Sequence, residues 1–535
     1  MSCNIYNNIF TVNQDNWTRV FDLPGLAELL ADSPCGGAGT CGKCRVMVLN
    51  GDVSSLSPEE QLWLSPSEME EGIRLACFCQ VKGEIRLGLP EKTATQILSN
   101  TGNIKRIFVK GFTHKLFGMA VDLGTTSVVG SLFNMNTGEE INTSSRLNPQ
   151  CSYGLDIMSR IDYASRDGGI QKLNRLILDC LDELVIDNCS AAGIKADDIQ
   201  EIVIAGNTVM LHLLAGINPA AMGRFPYTPV FTSAMQISAA GLGMKAPCKA
   251  DVYLMPSASA FIGSDIVGGI LATGLHQEQE NCFLLDLGTN GEMVLFSKNQ
   301  LYACSVAVGP ALEGMNIECG MRSEAGAIDK VWTEGESLCF HTIGEKPARG
   351  LCGSGLIEAA GVMWNKGLLA ANGKILTNPR SYSSSIWAEF ITEKEKNIRF
   401  CLIPCRGPKN AIFISQHDIR QLQLAKAAIC AGIKLLMDAA KIEAQDVYRV
   451  NLAGALGNYV NYDLMIELGF FPSEWRGKIR PAGNSALLGA TMVLMSTTAL
   501  KQADEISKRL ICLDLASTLE FQDIFVRGMA LGSTG

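Results

Sequence analysis

Apolar residues along this chain follow two rhythms, and the places where one yields to the other divide it into parts. Up to about residue 90 they come in short runs at 9–12, 43–49 and 84–89, with one helix-like stretch near 25–31. That spacing predicts a small mixed sheet carrying a helix. From 91 to 117 the periodicity disappears, and the polar stretch turns basic at Lys105, Arg106, Lys110 and Lys115. It reads as a linker that lets the first part move. Beyond it, paired runs of strand length alternate with helical patterns, as in α/β domains. Ser415-x-x-Asp418 is a capping box ahead of a helix over 419–440, whose apolar recurrence at Leu424, Ala428, Leu435 and Ala439 marks a core face. Further helices are expected from Ser259 through Ile270, and over 484–494, where small residues suit packing near a hinge. The chain therefore divides into 1–90, a linker at 91–117, a middle region at 118–215 and a C-terminal region at 216–535.

Composition narrows the class. The 535 residues are 47% hydrophobic and 19% charged, which suits large buried cores and excludes extensive disorder. A net charge of −9 and a pI near 5.3 argue against nucleic acid or an anionic membrane as the main partner. No basic segment followed by an apolar one opens the chain, and no apolar run reaches the length of a membrane span. A cytoplasmic protein is expected. Most of the 19 cysteines are scattered without a pairing pattern, as in a reduced compartment.

The exception is Cys35-Gly-Gly-Ala-Gly-Thr-Cys41-Gly-Lys-Cys44, followed after 32 intervening residues by Cys77. Three thiolates spaced C-x5-C-x2-C with a distant fourth suit two sulfide-bridged irons, and the loop's glycines let backbone amides turn toward the cluster's negative charge. Cys35, Cys41, Cys44 and Cys77 are the candidate ligands of a [2Fe-2S] cluster. Cys79 points opposite to Cys77 in an extended run and is read as a non-ligand, although a swap stays open. The five histidines show no metal-ligand spacing. Cys352, in Cys-Gly-Ser-Gly, reads as a small buried residue at a helix start.

A long-range duplication carries the second half of the argument. Met119-Ala-Val-Asp122-Leu-Gly124-Thr125-Thr126 and Phe283-Leu-Leu-Asp286-Leu-Gly288-Thr289-Asn290 are each an apolar strand ending in Asp-Leu-Gly-Thr, with a second apolar strand after the turn. Glycine permits close backbone approach, so the amides and hydroxyls of these turns can donate to phosphate oxygens. Asp122 and Asp286 can hold hydrated Mg²⁺ that neutralises the phosphates. One such turn is a common hairpin; two of them, 164 residues apart, would clamp a triphosphate from both sides. Val450-Asn-Leu-Ala-Gly454-Ala-Leu-Gly457 is a strand entering a glycine turn that suits a base and ribose against bare backbone. Asp265 belongs to the first turns of the 259–270 helix, near where a γ-phosphate would sit. Arg322 suits either a phosphate contact or a structural ion pair.

In this order the elements resemble the ATPase superfamily of actin, Hsp70 chaperones and sugar kinases over roughly 118–495. That resemblance implies two ribonuclease-H-like lobes closing on Mg-ATP. Further segments, among them 148–161, 204–210, Val308-Gly-Pro-Ala-Leu-Glu-Gly-Met-Asn-Ile317, Cys319-Gly-Met-Arg322, 351–357 and 418–428, resemble the reductive activators of corrinoid proteins. The implied fold is a multidomain α+β chain: a β-grasp ferredoxin domain, then a two-lobed actin-like ATPase. The implied activity is ATP-dependent return of a Co(II) corrinoid protein to Co(I), with that protein and a low-potential electron donor as partners; a homodimer is left open. Clusters of this type lie near about −400 mV, and each further 100 mV of adverse gap costs about 2.3 kcal/mol per electron. The expectation is that nucleotide-driven closure of the lobes tunes the complex with the corrinoid protein, altering the axial ligation of Co(II) and raising its effective potential. A redox-sensing, nucleotide-gated binding protein and a small-molecule kinase carrying a ferredoxin are the rival readings. Activators of 2-hydroxyacyl-CoA dehydratases share the ATPase plan, but they hold a four-iron cluster that this cysteine loop does not suit.

Overall fold

Alternation of buried and exposed positions along Gln80–Leu89 sets the first domain: Val81, Ile85, Leu87 and Leu89 point inward between exposed Lys82, Glu84 and Arg86. This strand lies between Asn8–Arg19 and Arg45–Val53, with Ile73–Leu75 at the edge, and every neighbouring pair runs antiparallel. Val20, Leu26, Val46 and Leu75 close the core beneath it. The structure, a computed structural model, describes residues 8–30, 33, 37–39, 42–64, 66–89, 117–377, 387–394, 397–403, 411–515, 518 and 520–532. The segment read as a linker lies outside these residues except Phe117, which opens a strand. The helix expected near 25–31 is described over Leu26–Leu29.

In the rest of the chain, beside two three-stranded sheets, two six-stranded sheets share one plan. In the first, the hairpin Phe117–Leu123/Ser127–Asn134 is antiparallel, Glu139–Leu147 pairs antiparallel on one side, and Ile199–Gly206 runs parallel on the other. In the second, Cys282–Leu287/Gly291–Ser297 is the hairpin, Gln300–Val306 the antiparallel neighbour and Arg449–Ala453 the parallel one. The central strands are apolar along nearly their whole length, since helices cover both faces. Met235–Ser238 and Asp251–Leu254 extend the first sheet, beyond the 215 boundary read from sequence. Each is only four residues long, too short for a clear strand rhythm. The capping box on Gln416–Ala440 forms as its residues require, with the Ser415 hydroxyl accepting from the Asp418 amide at 3.2 Å and Asp418 accepting from the Ser415 amide at 2.9 Å.

Helices Ser264–Thr273 and Ser485–Met495 lie between the sheets and share one core with both. They cross at glycine: a Cβ added to Gly489 would lie 2.3 Å from the Gly268 Cα. The first of them opens at Ser264, five residues later than expected. Residues ahead of it form a turn instead, in which the Ala258 amide donates to Ile262 O at 2.9 Å and the Ile262 amide to the Ser259 hydroxyl at 3.1 Å. The N-terminal domain touches both halves of the larger body. Tyr153, from the first half, packs against its core, and Lys43 Nζ donates to Ile317 O of the second half at 3.2 Å. Among the described residues no helix is long and apolar enough to cross a membrane.

Candidate functional site

The parallel strand beside each hairpin leaves both Leu-Gly-Thr turns at the carboxyl ends of central strands, facing one cleft. In the first turn, Gly124 has no room for a side chain, as a Cβ would meet Ser127 O at 2.6 Å. Asn148 holds the turn from outside: its amide donates to Thr126 O and its Nδ2 to Gly124 O, both at 2.9 Å. Fully buried Arg160 donates to Thr125 O and, at 2.8 Å, to Gly154 O. In the second turn the Gly288 amide donates to Asn290 O, and the Gly309 amide to Thr289 O, both at 3.0 Å. Gly454 closes the floor with φ +83°; a Cβ there would come within 2.7 Å of Asp286 Oδ1.

The resulting cleft has a volume of about 620 Å³, a size that suits a small-molecule ligand. Asp122, Gly124, Thr125, Thr126, Asp265, Asp286, Gly288, Thr289, Asn290 and Gly454 all line it. Gly457 does not. It sits within the short helix Gly454–Tyr459, where a Cβ would strike Leu452 O at 2.6 Å, so its smallness serves packing.

Carboxylates crowd this space. Burial pushes Asp122 up to about 7, the Asn484 hydrogen bond at 2.9 Å opposes the shift, and Asp286 adds to it. Burial likewise carries Asp265 to about 7 and Asp286 to about 6. Glu292, just after the second turn, is pushed well above the ordinary range by burial and then by Asp265 and Asp286. Such a set favours a cation among its members. Among the described residues no three His, Cys, Asp or Glu side chains form a group that could hold a metal ion directly. The glycine cradle, threonine donors and carboxylates thus fit a Mg-bound phosphate chain. Asn484 and Glu313 were not legible as site residues, since each reaches the cleft only through tertiary approach; Glu292, opposite Asp286 in the second hairpin, was not singled out. Arg322 also lines the cleft, as does His341, whose Nδ1 lies 2.7 Å from Asp329 Oδ1.

In the N-terminal domain the Cys44 and Cys77 sulfurs lie 3.2 Å apart and buried. Cys35 and Cys41 lie outside the described residues. Gly37, Gly39 and Gly42 all take positive φ (84°, 82° and 61°), a backbone that can turn amides inward. Cys79 is also fully buried, but burial pushes its thiol up to about 11, and its sulfur lies 3.8 Å from Gln80 O. The segment leading to Cys77 is fixed by a buried ion pair, Arg74–Glu60 at 2.7 Å, with Glu60 also accepting from the Leu75 amide at 3.1 Å. Paired thiols beside a glycine loop suit an iron–sulfur cluster.

A small cysteine-bearing sheet joined to two ribonuclease-H-like halves around one cleft defines a ferredoxin domain fused to an actin-like, ASKHA-type domain. Residues 25–82 match the 2Fe-2S iron-sulfur cluster binding domain, residues 117–278 the RACo middle region, and residues 280–535 the C-terminal domain of RACo, the ASKHA domain. The corrinoid activation enzyme RamQ of Eubacterium limosum is 32% identical over 421 residues, covering 78% of this chain and 70% of the relative. A Co(II) methylated-amine-specific corrinoid protein reductase of Methanosarcina barkeri is 23% identical over 473 residues, 78% of each chain. The solved structure of a reductive activator for corrinoid, iron-sulfur protein aligns with a TM-score of 0.71 at 28% identity, covering 98% of this chain and 97% of that one. The chain belongs to the RACo-like family of reductive activators.

Proposed function

We propose that this protein performs ATP-dependent reductive activation of a corrinoid protein, converting its Co(II) to Co(I) by one electron that a low-potential donor then replaces. The observation that carries this reading is the placement of both Leu-Gly-Thr turns and three aspartates around one cleft, in a chain that also pairs Cys44 with Cys77. Bound there, a [2Fe-2S] cluster supplies a single low-potential electron, and Mg-ATP supplies a difference in binding free energy between two shapes of the cleft. Cys44 and Cys77, with Cys35 and Cys41, would hold the cluster. Thr125, Thr126 and Thr289 would donate to phosphate oxygens, Asp122 and Asp286 would orient the cation's water, and Gly454 would admit the nucleoside against bare backbone. Asp265, at the start of its helix, would face the terminal phosphate.

The test is anaerobic. Protein reduced by dithionite is mixed with a Co(II) corrinoid protein and Mg-ATP, and the Co(I) absorption band is followed. Co(I) is expected with the wild type and not with Cys77→Ser or with Asp122→Ala/Asp286→Ala. Equal Co(I) formation without nucleotide, or with the double aspartate variant, would sink the reading.

A further inference from the structure

Between the two phosphate turns stands a carboxylate of the protein itself. Glu313, at the end of the 3-10 turn Pro310–Glu313, accepts from Thr126 Oγ1 at 3.2 Å through Oε2 and from Thr289 Oγ1 at 2.9 Å through Oε1. The first threonine belongs to one half of the molecule and the second to the other, 187 and 24 residues away in sequence. Glu313 Oε1 also lies 3.3 Å from where a Cβ on Gly288 would stand, so it sits against the bare backbone of the second turn. These are the same hydroxyls and the same glycine that a phosphate chain clamped from both sides would require. A carboxylate and a phosphate oxygen make the same demand on a hydroxyl donor, and two anions cannot share it.

We infer that Glu313 is an intramolecular occupant of the phosphate position, a specificity-determining residue that a polyphosphate must displace before the two turns can close on it. This rests on the nucleotide reading of the cleft and adds to it a threshold: a ligand able to bind must bring enough negative charge to replace the carboxylate. A neutral nucleoside gains nothing from the exchange.

Displacement also has an address. Past Glu313 the chain passes through Gly314, whose φ is +75° and where a Cβ would lie 2.0 Å from Met321 O, so the turn is tightly seated. Met315 packs with Cys151 and Leu155 of the other half. Two residues further, Ile317 O accepts from Lys43, between the cluster cysteines Cys41 and Cys44. Glu313 thus stands four residues from the contact that seats the N-terminal domain on the second half.

The test compares full-length wild type with Glu313→Gln and Glu313→Ala, measuring affinity for Mg²⁺ with the non-hydrolysable β,γ-imido analogue of ATP, affinity for adenosine by competition, and the thermal midpoint without ligand. Expected are about tenfold tighter binding of the triphosphate, as for loss of one charge-assisted competitor, unchanged adenosine affinity, and a thermal midpoint lower by about 2–4 °C. These opposite signs separate a competing carboxylate from a structural prop. Unchanged or weaker triphosphate binding in Glu313→Gln would overturn the inference, as would equal tightening toward adenosine, which would mark a general opening of the cleft. Wild type that binds no triphosphate at all would instead overturn the nucleotide reading beneath it.

Discussion

Asn484 shows how one side chain can serve two structures at once. Its Oδ1 accepts from the Leu487 amide at 2.9 Å, capping helix Ser485–Met495, while its Nδ2 donates to Asp122 at the same distance. Replacing it by alanine is expected to cost about 1 kcal/mol for the lost cap. It also leaves a buried carboxylate without its donor. Thermal unfolding should register the first effect, and titration with Mg-ATP analogue should show weaker binding than wild type. At the cysteines the contrast is sharper. Cys77→Ser should abolish the visible absorption of the reconstituted cluster, whereas Cys79→Ser should keep it, since the Cys77 sulfur meets that of Cys44 at 3.2 Å while the Cys79 sulfur lies against Gln80 O. Optical and EPR spectra of the two variants decide between them. At this scale the turns were readable in the sequence because glycine and threonine must be adjacent to do their work. Asn484 was not, because its partner lies 362 positions away.

Elements were legible wherever their own residues dictate them. The Ser415–Asp418 box places the start of Gln416–Ala440, and two identical Asp-Leu-Gly-Thr turns announce two hairpins of one plan. The late start of Ser264–Thr273 was not legible because Thr208, at the start of another helix, donates to Ser259 O at 2.6 Å and helps hold the preceding residues in a turn. The crossing of this helix with Ser485–Met495 gives a direct test. Gly489→Ala drives a methyl into the Gly268 backbone, for which about 1–3 kcal/mol of destabilisation is expected. Because Asp265 and Asn484 lie at the starts of these helices, calorimetry should find weaker nucleotide binding as well. Helix Thr208–Leu214 offers a pH test. His212 Nδ1 lies 2.8 Å from Thr208 O, its Nε2 accepts from the Val230 amide at 3.1 Å, and its ring stacks on Phe231. Burial holds its pKa below the ordinary 6.5. Below that pH the unfolded chain takes up this proton before the folded one, so the stability His212 contributes is complete above pH 6.5 and declines as pH falls. The gap in melting temperature between wild type and His212→Gln should therefore narrow between pH 7 and pH 5.5.

For the molecule as a whole, the order of parts was readable but their contact was not. Periodicity separated a small cysteine-bearing sheet from a larger α/β body; nothing in it could foretell that Tyr153 and Ile317, from opposite halves, would both meet the smaller domain. Loss of the cluster through Cys44→Ser should leave nucleotide affinity little changed from wild type, because among the described residues the cleft draws none from that domain; equilibrium binding checks this. Straddling two bodies has a kinetic meaning. On the proposed nucleotide-driven rotation of the halves about their glycine crossing, the small domain could not follow both, so one attachment would yield on each stroke. Delivery of charge to a partner would then keep time with this slow release rather than with driving force. Stopped-flow traces should slow in proportion to added sucrose viscosity and stay nearly indifferent to the potential of the reductant supplied.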